Sequence, residues 1–430
     1  MVVANVILWD QLVGAVLWDD KTGIAAFEMD SAISKHGWDI APLTMPMNQA
    51  GRGIVFQFPN LPRETYQGLP GLLSDALPDR FGNQLIDIWL ASQGRSRNSM
   101  NPVERLCYIG NRGMGALEFE PAVRNETEKS IPLEIHTLVE LSKKALDQKA
   151  SLQTQFSKED AKALSDIIRV GTSAGGARAK AVIAYNEKTG EVRSGQLKAP
   201  AGFEHWLIKF DGVTNIELGD PKGYGKIEYA YYKMAIDCGI IMMPSKLLQE
   251  GNRAHFMTKR FDRIDHNEKV HAQTVCGLCH YDYNNPYVYS YEQVFQAMRQ
   301  LRLPYIDAEQ LYTRMVFNVI SRNQDDHTKN ISFLMNKSGK WSLSPAYDVT
   351  YAFNPENKWT SQHQLSINGK REGISMFDLL EVAKQMNIKK AKDIIEEIRI
   401  VVSQWNQYAS AAGLSTTQIA LIAKTHLLAL

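Results

Sequence analysis

Strand-like and helical signals in this chain are sorted into blocks, and that ordering limits the folds open to it more than any single motif does. The first 60 residues read as short strands: VVANVILW and LVGAVLW flank Asp10–Gln11 as a hairpin, and GIAAFEMD supplies a third strand. Between residues 68 and 120 the signals turn helical and loop-like. Residues 121–160 are polar and helix-prone, with apolar positions in EIHTLVELSKKALDQ three and four apart, which makes this stretch the expected linker. Strand-like runs return from 165 to 262 as AKAVIAY, HWLIKFD and HFMTKRFD, with a helix, KIEYAYYKMAIDCGI, between the last two. After about residue 290 the periodicity is helical, through SYEQVFQAMRQL, DAEQLYTRMVFNVI, MFDLLEVAKQM and AKDIIEEIRIVVSQWNQYAS. The last helix begins at STTQIALIAKTHLLAL, where Ser415 and Gln418 have capping-box spacing. The fold class expected is α+β in three regions: a β-rich N-terminal subdomain (1–125), a strand-dominated region (126–262) and an all-helical C-terminal lobe (263–430).

Composition narrows the partners. The 48 basic residues against 47 acidic ones leave a net charge of +1, too little to wrap nucleic acid by bulk electrostatics, although a local patch is compatible with it. No 18 apolar residues run together, so no membrane span is expected. The first residues carry no basic leader and do not read as a signal peptide. Four cysteines, Cys107, Cys238, Cys276 and Cys279, fit a reducing cytoplasm better than a disulfide scaffold. CGLCH at 276–280 has the C-x-x-C-H pattern of haem attachment, but with no second ligand set it is expected to be two small buried cysteines.

Chemistry concentrates in SRNQDDHTKN, at 321–330, directly behind an apolar helix. Asp325 and Asn330 are five apart, the D-x-x-x-x-N spacing of kinase catalytic loops. Phosphoryl transfer needs a carboxylate to orient the attacking hydroxyl and hard oxygens to hold Mg²⁺ on the phosphates. Asp348, in SPAYDVTY, is the second acid. ISFLMNKSGKWSLSP reads as a two-strand hairpin that would return it beside Asn330. Asp325 fits the spacing and Asp326 does not, which leaves Asp326 without a role. An Asp- and Asn-rich loop behind a helix is also the composition of an ordinary turn, so the reading depends on cooperating sites.

Three such sites lie upstream. Lys209 ends the apolar strand HWLIKF, and Glu228 on the following helix is placed to orient it. FMTKRFDR, at 256–263, ends a strand between the two prospective lobes, where backbone groups of Lys259 and Phe261 would meet an adenine edge. VGTSAGGARAKAVIAY enters a strand through Gly175 and Gly176, which permit close backbone approach to phosphate, with Lys180 adding a cation.

In order along nearly the whole chain, GLLSDALPDRFGN, NPVERLCYIGNRGMGALEFEP, SAGGARAK, HWLIKFD, KRFDR, VCGLCH, DDHTKN and SPAYDVTY resemble the HipA family, the serine/threonine kinase toxins of bacterial HipA–HipB toxin–antitoxin modules. The resemblance implies a protein-kinase-like two-lobed fold with an extra N-terminal subdomain, and ATP and Mg²⁺ as cofactors. By the same resemblance Asp325 is the catalytic base, Asn330 and Asp348 hold the metal, and Lys209 binds phosphates. The loop Gly175, Gly176, Ala177, Arg178, Ala179 and Lys180 covers the nucleotide, with the hinge at Lys259, Arg260 and Phe261. His327, Lys329 and Tyr347 join the nucleotide site, and Ser173 is the autophosphorylated serine whose modification would expel ATP phosphates by like-charge repulsion. Arg178 and Ala179 stand where other members carry Gln and Glu. Implied partners are a dimeric helix-turn-helix antitoxin of the HipB type, operator DNA reached through it, and a protein substrate of the translation machinery, with an aminoacyl-tRNA synthetase as the default.

Two other readings compete. GTSAG, at 171–175, matches the G-x-S-x-G nucleophile elbow of serine hydrolases, with Ser173 attacking and Asp325 and His327 completing a triad. An elbow needs strand–turn–helix, whereas KALSDII before it is helix-like and AKAVIAY after it strand-like. A catalytically dead co-repressor subunit is the other, disfavoured because every catalytic position is filled.

Overall fold

The computed structural model describes residues 2–78, 80–96, 99–122, 132–147, 171, 178–195, 198–213, 223–265 and 267–430. The N-terminal module is an antiparallel sheet in the order β4-β3-β2-β1-β5, built from β1 (Val2–Leu8), β2 (Gln11–Asp19), β3 (Ile24–Met29), β4 (Val55–Phe56) and β5 (Leu117–Glu120). Its first turn falls one residue earlier than the sequence suggests. Leu8 pairs with Gln11, and Trp9 and Asp10 form the turn with φ of 48° and 62°. Positive φ at both central residues gives the twist a two-residue hairpin needs. A tryptophan is a poor local choice there, and its indole is held from outside by a 2.7 Å hydrogen bond to the Lys269 carbonyl. Against this sheet pack α1 (Ala32–His36), α3 (Gly71–Ser74) and α5 (Pro102–Ile109), with α2 (Arg63–Tyr66) against α3. Helix α5 is started by Pro102 and a full capping box from Asn101 and Glu104.

The second sheet has the order β7-β6-β8-β10-β9, from β6 (Lys180–Tyr185), β7 (Val192–Ser194), β8 (Glu204–Lys209), β9 (Ser245–Glu250) and β10 (Arg253–Lys259). Its core side, Ile183, Trp206, Ile208 and Met257, packs on α4 (Arg80–Ser92) and α6 (Ile135–Asp147), so helices from earlier in the chain close its back. One helix, α7 (Tyr224–Asp237), crosses between β8 and β9.

The C-terminal lobe is not all-helical. The expected hairpin, β14 (Ser332–Met335) and β15 (Trp341–Leu343), recruits β13 (His271–Thr274) as a third strand. A small two-stranded ribbon, β11 (Arg263–Ile264) with β12 (Glu268–Lys269), precedes it. The pairing of β13 with β14 spans some 60 residues of chain, and no local pattern in HAQT announces it. Around it stand α8 (Val275–Cys279), α9 (Tyr291–Gln300), α10 (Tyr305–Ser321), α11 (Met376–Met386), α12 (Ala391–Ser403), α13 (Trp405–Ala411) and α14 (Thr416–Ala423). Capping boxes start α9 at Ser290 and α14 at Ser415, as the latter's spacing indicates. The outcome is an α+β, kinase-like two-lobed fold with an N-terminal β module. Among the described residues no helix is long and apolar enough to cross a membrane.

Candidate active site

Lys209 is the last residue of β8, the central strand of its sheet, hydrogen-bonded on both sides by β6 and β10. Its ammonium donates to Glu228 Oε1 on α7 at 2.6 Å and also to Asp348 Oδ1. Burial by itself would lower the lysine's pKa, but the two carboxylates hold it above the ordinary value. Burial pushes Glu228 up, while Asp348 is held well below the usual carboxylate range despite its burial, because Lys209 and Lys180 face it. Lys180, 3% exposed, sits directly opposite Lys209 in the β6–β8 register. Two lysines therefore stand side by side at this end of the sheet. Asp348 itself adopts φ of 53°, a left-handed conformation that Asp tolerates better than most residues.

Asp325 arrives from the other lobe. Helix α10 ends on Arg322 in the left-handed conformation, and Gln324 N–H then bonds the Ala352 carbonyl, fixing the loop to the chain beyond Asp348. Asn330 donates its amide Nδ2 to the Asp325 carbonyl at 2.7 Å, which leaves its Oδ1 as the group free to face a cation. Asp325, Asn330 and Asp348 line one small cavity of about 30 Å³. The Asp325 side chain is 46% exposed at the cleft, yet the surrounding protein raises its pKa, with His327 pulling the other way and Asp348 and Asp326 adding to the rise.

Tyr347 braces this arrangement. Its hydroxyl donates to the Lys329 carbonyl at 2.7 Å and meets the Ser332 hydroxyl at 2.5 Å. Its ring lies 5.6 Å from that of Phe261, so the chain after β10 and the Asp348 loop share an aromatic contact. Lys329 lays its ammonium over the Tyr283 ring, an aromatic the sequence reading did not single out. Arg178 stacks on Tyr224 at 3.8 Å, and its charge reaches Glu228 and Asp325. Ala179 is buried, its carbonyl accepting from Phe210 N–H. Ser173, Gly175, Gly176 and Ala177 lie outside the described residues.

At the expected hinge, two of the three side chains are engaged elsewhere. The Arg260 side chain turns away from the cleft: its guanidinium is 1% exposed and forms a 2.6 Å ion pair with Asp262. Its N–H is spent on the His205 carbonyl, and that of Lys259 on Pro244. The Lys259 ammonium pairs with Glu204 at 2.5 Å. The backbone N–H of Phe261 makes no hydrogen bond among the described residues.

Two sequence alternatives also receive positions. His327 Nε2 stands 3.9 Å from Asp325 Oδ1, too far for the Asp–His hydrogen bond a hydrolase triad requires. In CGLCH, Cys276 and Cys279 are thiols that burial pushes up to about 12, and His280 Nε2 accepts a 3.0 Å hydrogen bond from Gly71 N–H. Among the described residues no group of three or more His, Cys, Asp or Glu side chains is placed to hold a metal. The oxygen set of Asp325, Asn330 and Asp348 does suit Mg²⁺, which is usually held by one or two carboxylates together with phosphate oxygens.

A strand-end lysine paired with a helix glutamate, facing an acid–asparagine–acid set across a two-lobed cleft, defines a kinase-like protein. More particularly, residues 4–120 match the HipA N-terminal domain and residues 172–405 the HipA-like C-terminal domain, and the chain belongs to the HipA family. HipA of Shewanella oneidensis MR-1, solved with HipB and its operator DNA, has a TM-score of 0.69 and 17% identity over 98% of this chain and 94% of that one. The Helicobacter pylori proinflammatory kinase CtkA has a TM-score of 0.34 and 14% identity over 52% of this chain and 88% of that one, too low to carry an argument. No curated protein gives a significant match.

Proposed function

We propose that this protein is an ATP- and Mg²⁺-dependent serine/threonine protein kinase acting in the cytoplasm as the toxin of a toxin–antitoxin module. The observation that carries this reading is the meeting of Lys209, Glu228 and Asp348 in one cleft with Asp325 and Asn330. Asp325 orients the substrate hydroxyl and takes its proton on a carboxylate oxygen. The environment that raises the Asp325 pKa makes it a stronger base than a free aspartate. Lys209, held by Glu228, is released from Asp348 to bind phosphate oxygens, with Lys180 beside it. Asn330 and Asp348 would hold Mg²⁺, which when bound neutralises charge on the phosphates. Phe261 and Tyr347 provide the apolar edge for adenine, and Arg178, His327 and Lys329 ring the phosphate end.

The family and the Shewanella complex support a HipB-like antitoxin as partner, with operator DNA reached through it. An aminoacyl-tRNA synthetase is the default substrate, and phosphorylation of Ser173 would inactivate the enzyme. The test is phosphate transfer from labelled ATP by wild type, Asp325→Asn and Asp348→Asn, with phosphoproteomics of expressing cells to name the target. Wild type is expected to transfer phosphate and Asp325→Asn to lose on the order of 10²-fold or more. Asp348→Asn is expected to lose Mg²⁺-dependent nucleotide binding. Undiminished transfer by Asp325→Asn would overturn the assignment of the base.

A further inference from the structure

Asp326 is the acid that the nucleotide chemistry leaves over, and it is 3% exposed. Its carboxylate is fully engaged. Oδ2 accepts from the Tyr291 hydroxyl at 2.9 Å and from His363 Nδ1 at 2.8 Å, and Oδ1 accepts from the Gln364 backbone N–H at 2.8 Å. The Tyr291 hydroxyl in turn accepts from Asn318 Nδ2 at 3.0 Å, and Asn318 Oδ1 from Asn323 Nδ2 at 2.9 Å. One carboxylate therefore joins the loop after α10, the start of α9, and the segment 359–371 that follows the Asp348 loop.

That segment is knit together around the same point. Arg371 donates to the Gln364 carbonyl and, at 2.9 Å, to that of Tyr289. Ser366 exchanges backbone hydrogen bonds with Tyr289 and Tyr291, each 3.0 Å. His363 turns its Nδ1 to the Asp326 carboxylate, and its Nε2 has no partner among the described residues.

A buried carboxylate is tolerated when several donors meet it, and removing one partner of such a set is far more costly than the set is worth. The consequence for chemistry lies in the backbone. Residues 324–327 belong to no helix, strand or turn, and the two adjacent carboxylates differ sharply in burial. The 1% exposed side chain of Asp326 faces inward, and the 46% exposed side chain of Asp325 faces the cleft. Anchoring one fixes the direction of the other.

We propose that Asp326 is a positioning residue: it aims Asp325 and ties the catalytic loop to the segment 359–371, an ordering that needs no phosphate added to the segment. The reaction it serves rests on the kinase reading above. The experiment compares wild type, Asp326→Asn and Tyr291→Phe in two measurements. These are hydrogen–deuterium exchange of 359–371 without nucleotide, and steady-state phosphate transfer. Asp326→Asn is expected to raise exchange in that segment and to lower kcat on the order of 10- to 100-fold, while leaving KM for ATP unchanged. Tyr291→Phe, which removes one hydroxyl and stands in if Asp326→Asn fails to fold, is expected to shift both in the same direction by less. Wild-type exchange and wild-type kcat in the variants would overturn the proposal, as would losses of kcat and ATP affinity in parallel. If wild type transfers no phosphate, the kinase reading falls by itself. The exchange comparison then still decides the tie, which unchanged exchange would refute.

Discussion

Asp262 shows how much of this molecule hangs on single buried charges. It is 0% exposed, accepts from Arg260 and Arg263, and takes the Gly115 N–H at 2.7 Å. Arg263 continues to the carbonyls of Gly113 and Gly115 at 3.0 and 2.9 Å. Burial works against the acid, but the two guanidinium groups hold it well below the usual carboxylate range. These contacts pin the N-terminal NRGMG loop to the chain just past the hinge. Asp262→Ala would leave two buried cations without their anion, and is expected to cost about 3–5 kcal/mol, read by urea unfolding. A loss below about 1 kcal/mol, the scale of a surface pair, would contradict this.

At the scale of elements, α7 bridges the cleft and the C-terminal core. It carries Glu228, yet Ile227, Ala230, Tyr231 and Met234 are buried with Phe317, Trp405 and Ile419 in the C-terminal core. Its Tyr231 hydroxyl donates to the Ser321 carbonyl at 2.5 Å and meets His426 Nε2 at 3.0 Å, and Lys226 reaches the Gly413 carbonyl at 3.1 Å. Lys209, in contrast, extends from a strand whose Trp206 and Ile208 belong to the second sheet's core. The Lys209–Glu228 pair thus spans two cores. A second contact between elements is tighter still. Helices α3 and α8 approach so closely that a Cβ on Gly71 would lie 2.1 Å from the Gly277 carbonyl oxygen. Backbone cannot yield as a side chain does, so Gly71→Ala is expected to destabilise by about 1–3 kcal/mol or more. Thermal unfolding unchanged from wild type would show that the contact relaxes freely.

For the whole molecule, acid is the expected solvent of these joints. His271 and His280 lie between the N-terminal module and the C-terminal lobe, and His426 lies under α7; burial pushes each down to about 4. The unfolded chain, with imidazoles near 6.5, binds more protons than the folded one between those values. Stability present at neutral pH is therefore lost as pH falls from about 6.5 toward about 4, opposed in part by raised carboxyls such as Asp39 and Asp307. The melting temperature should drop through that window, and a flat profile there would refute the account.

Most elements could be read from the chain, because strand alternation, helical spacing and capping boxes such as Ser415 with Gln418 are set by residues within a few positions of one another. The same holds for the candidate chemistry: Asp325, Asn330 and Asp348 are close in sequence, and the hairpin between them has its own turn. Tertiary structure decided what depends on distant partners. Trp9 can occupy a turn because Lys269 holds its indole, and His271–Thr274 is a strand because β14 offers an edge. Arg260 leaves the cleft because Asp262 and the N-terminal loop claim it, and Asp326 gains a role because Tyr291 and His363 converge on it. Local preference governs backbone shape within a few residues, whereas the direction of a buried charge is set by whichever distant donor or acceptor can repay its desolvation.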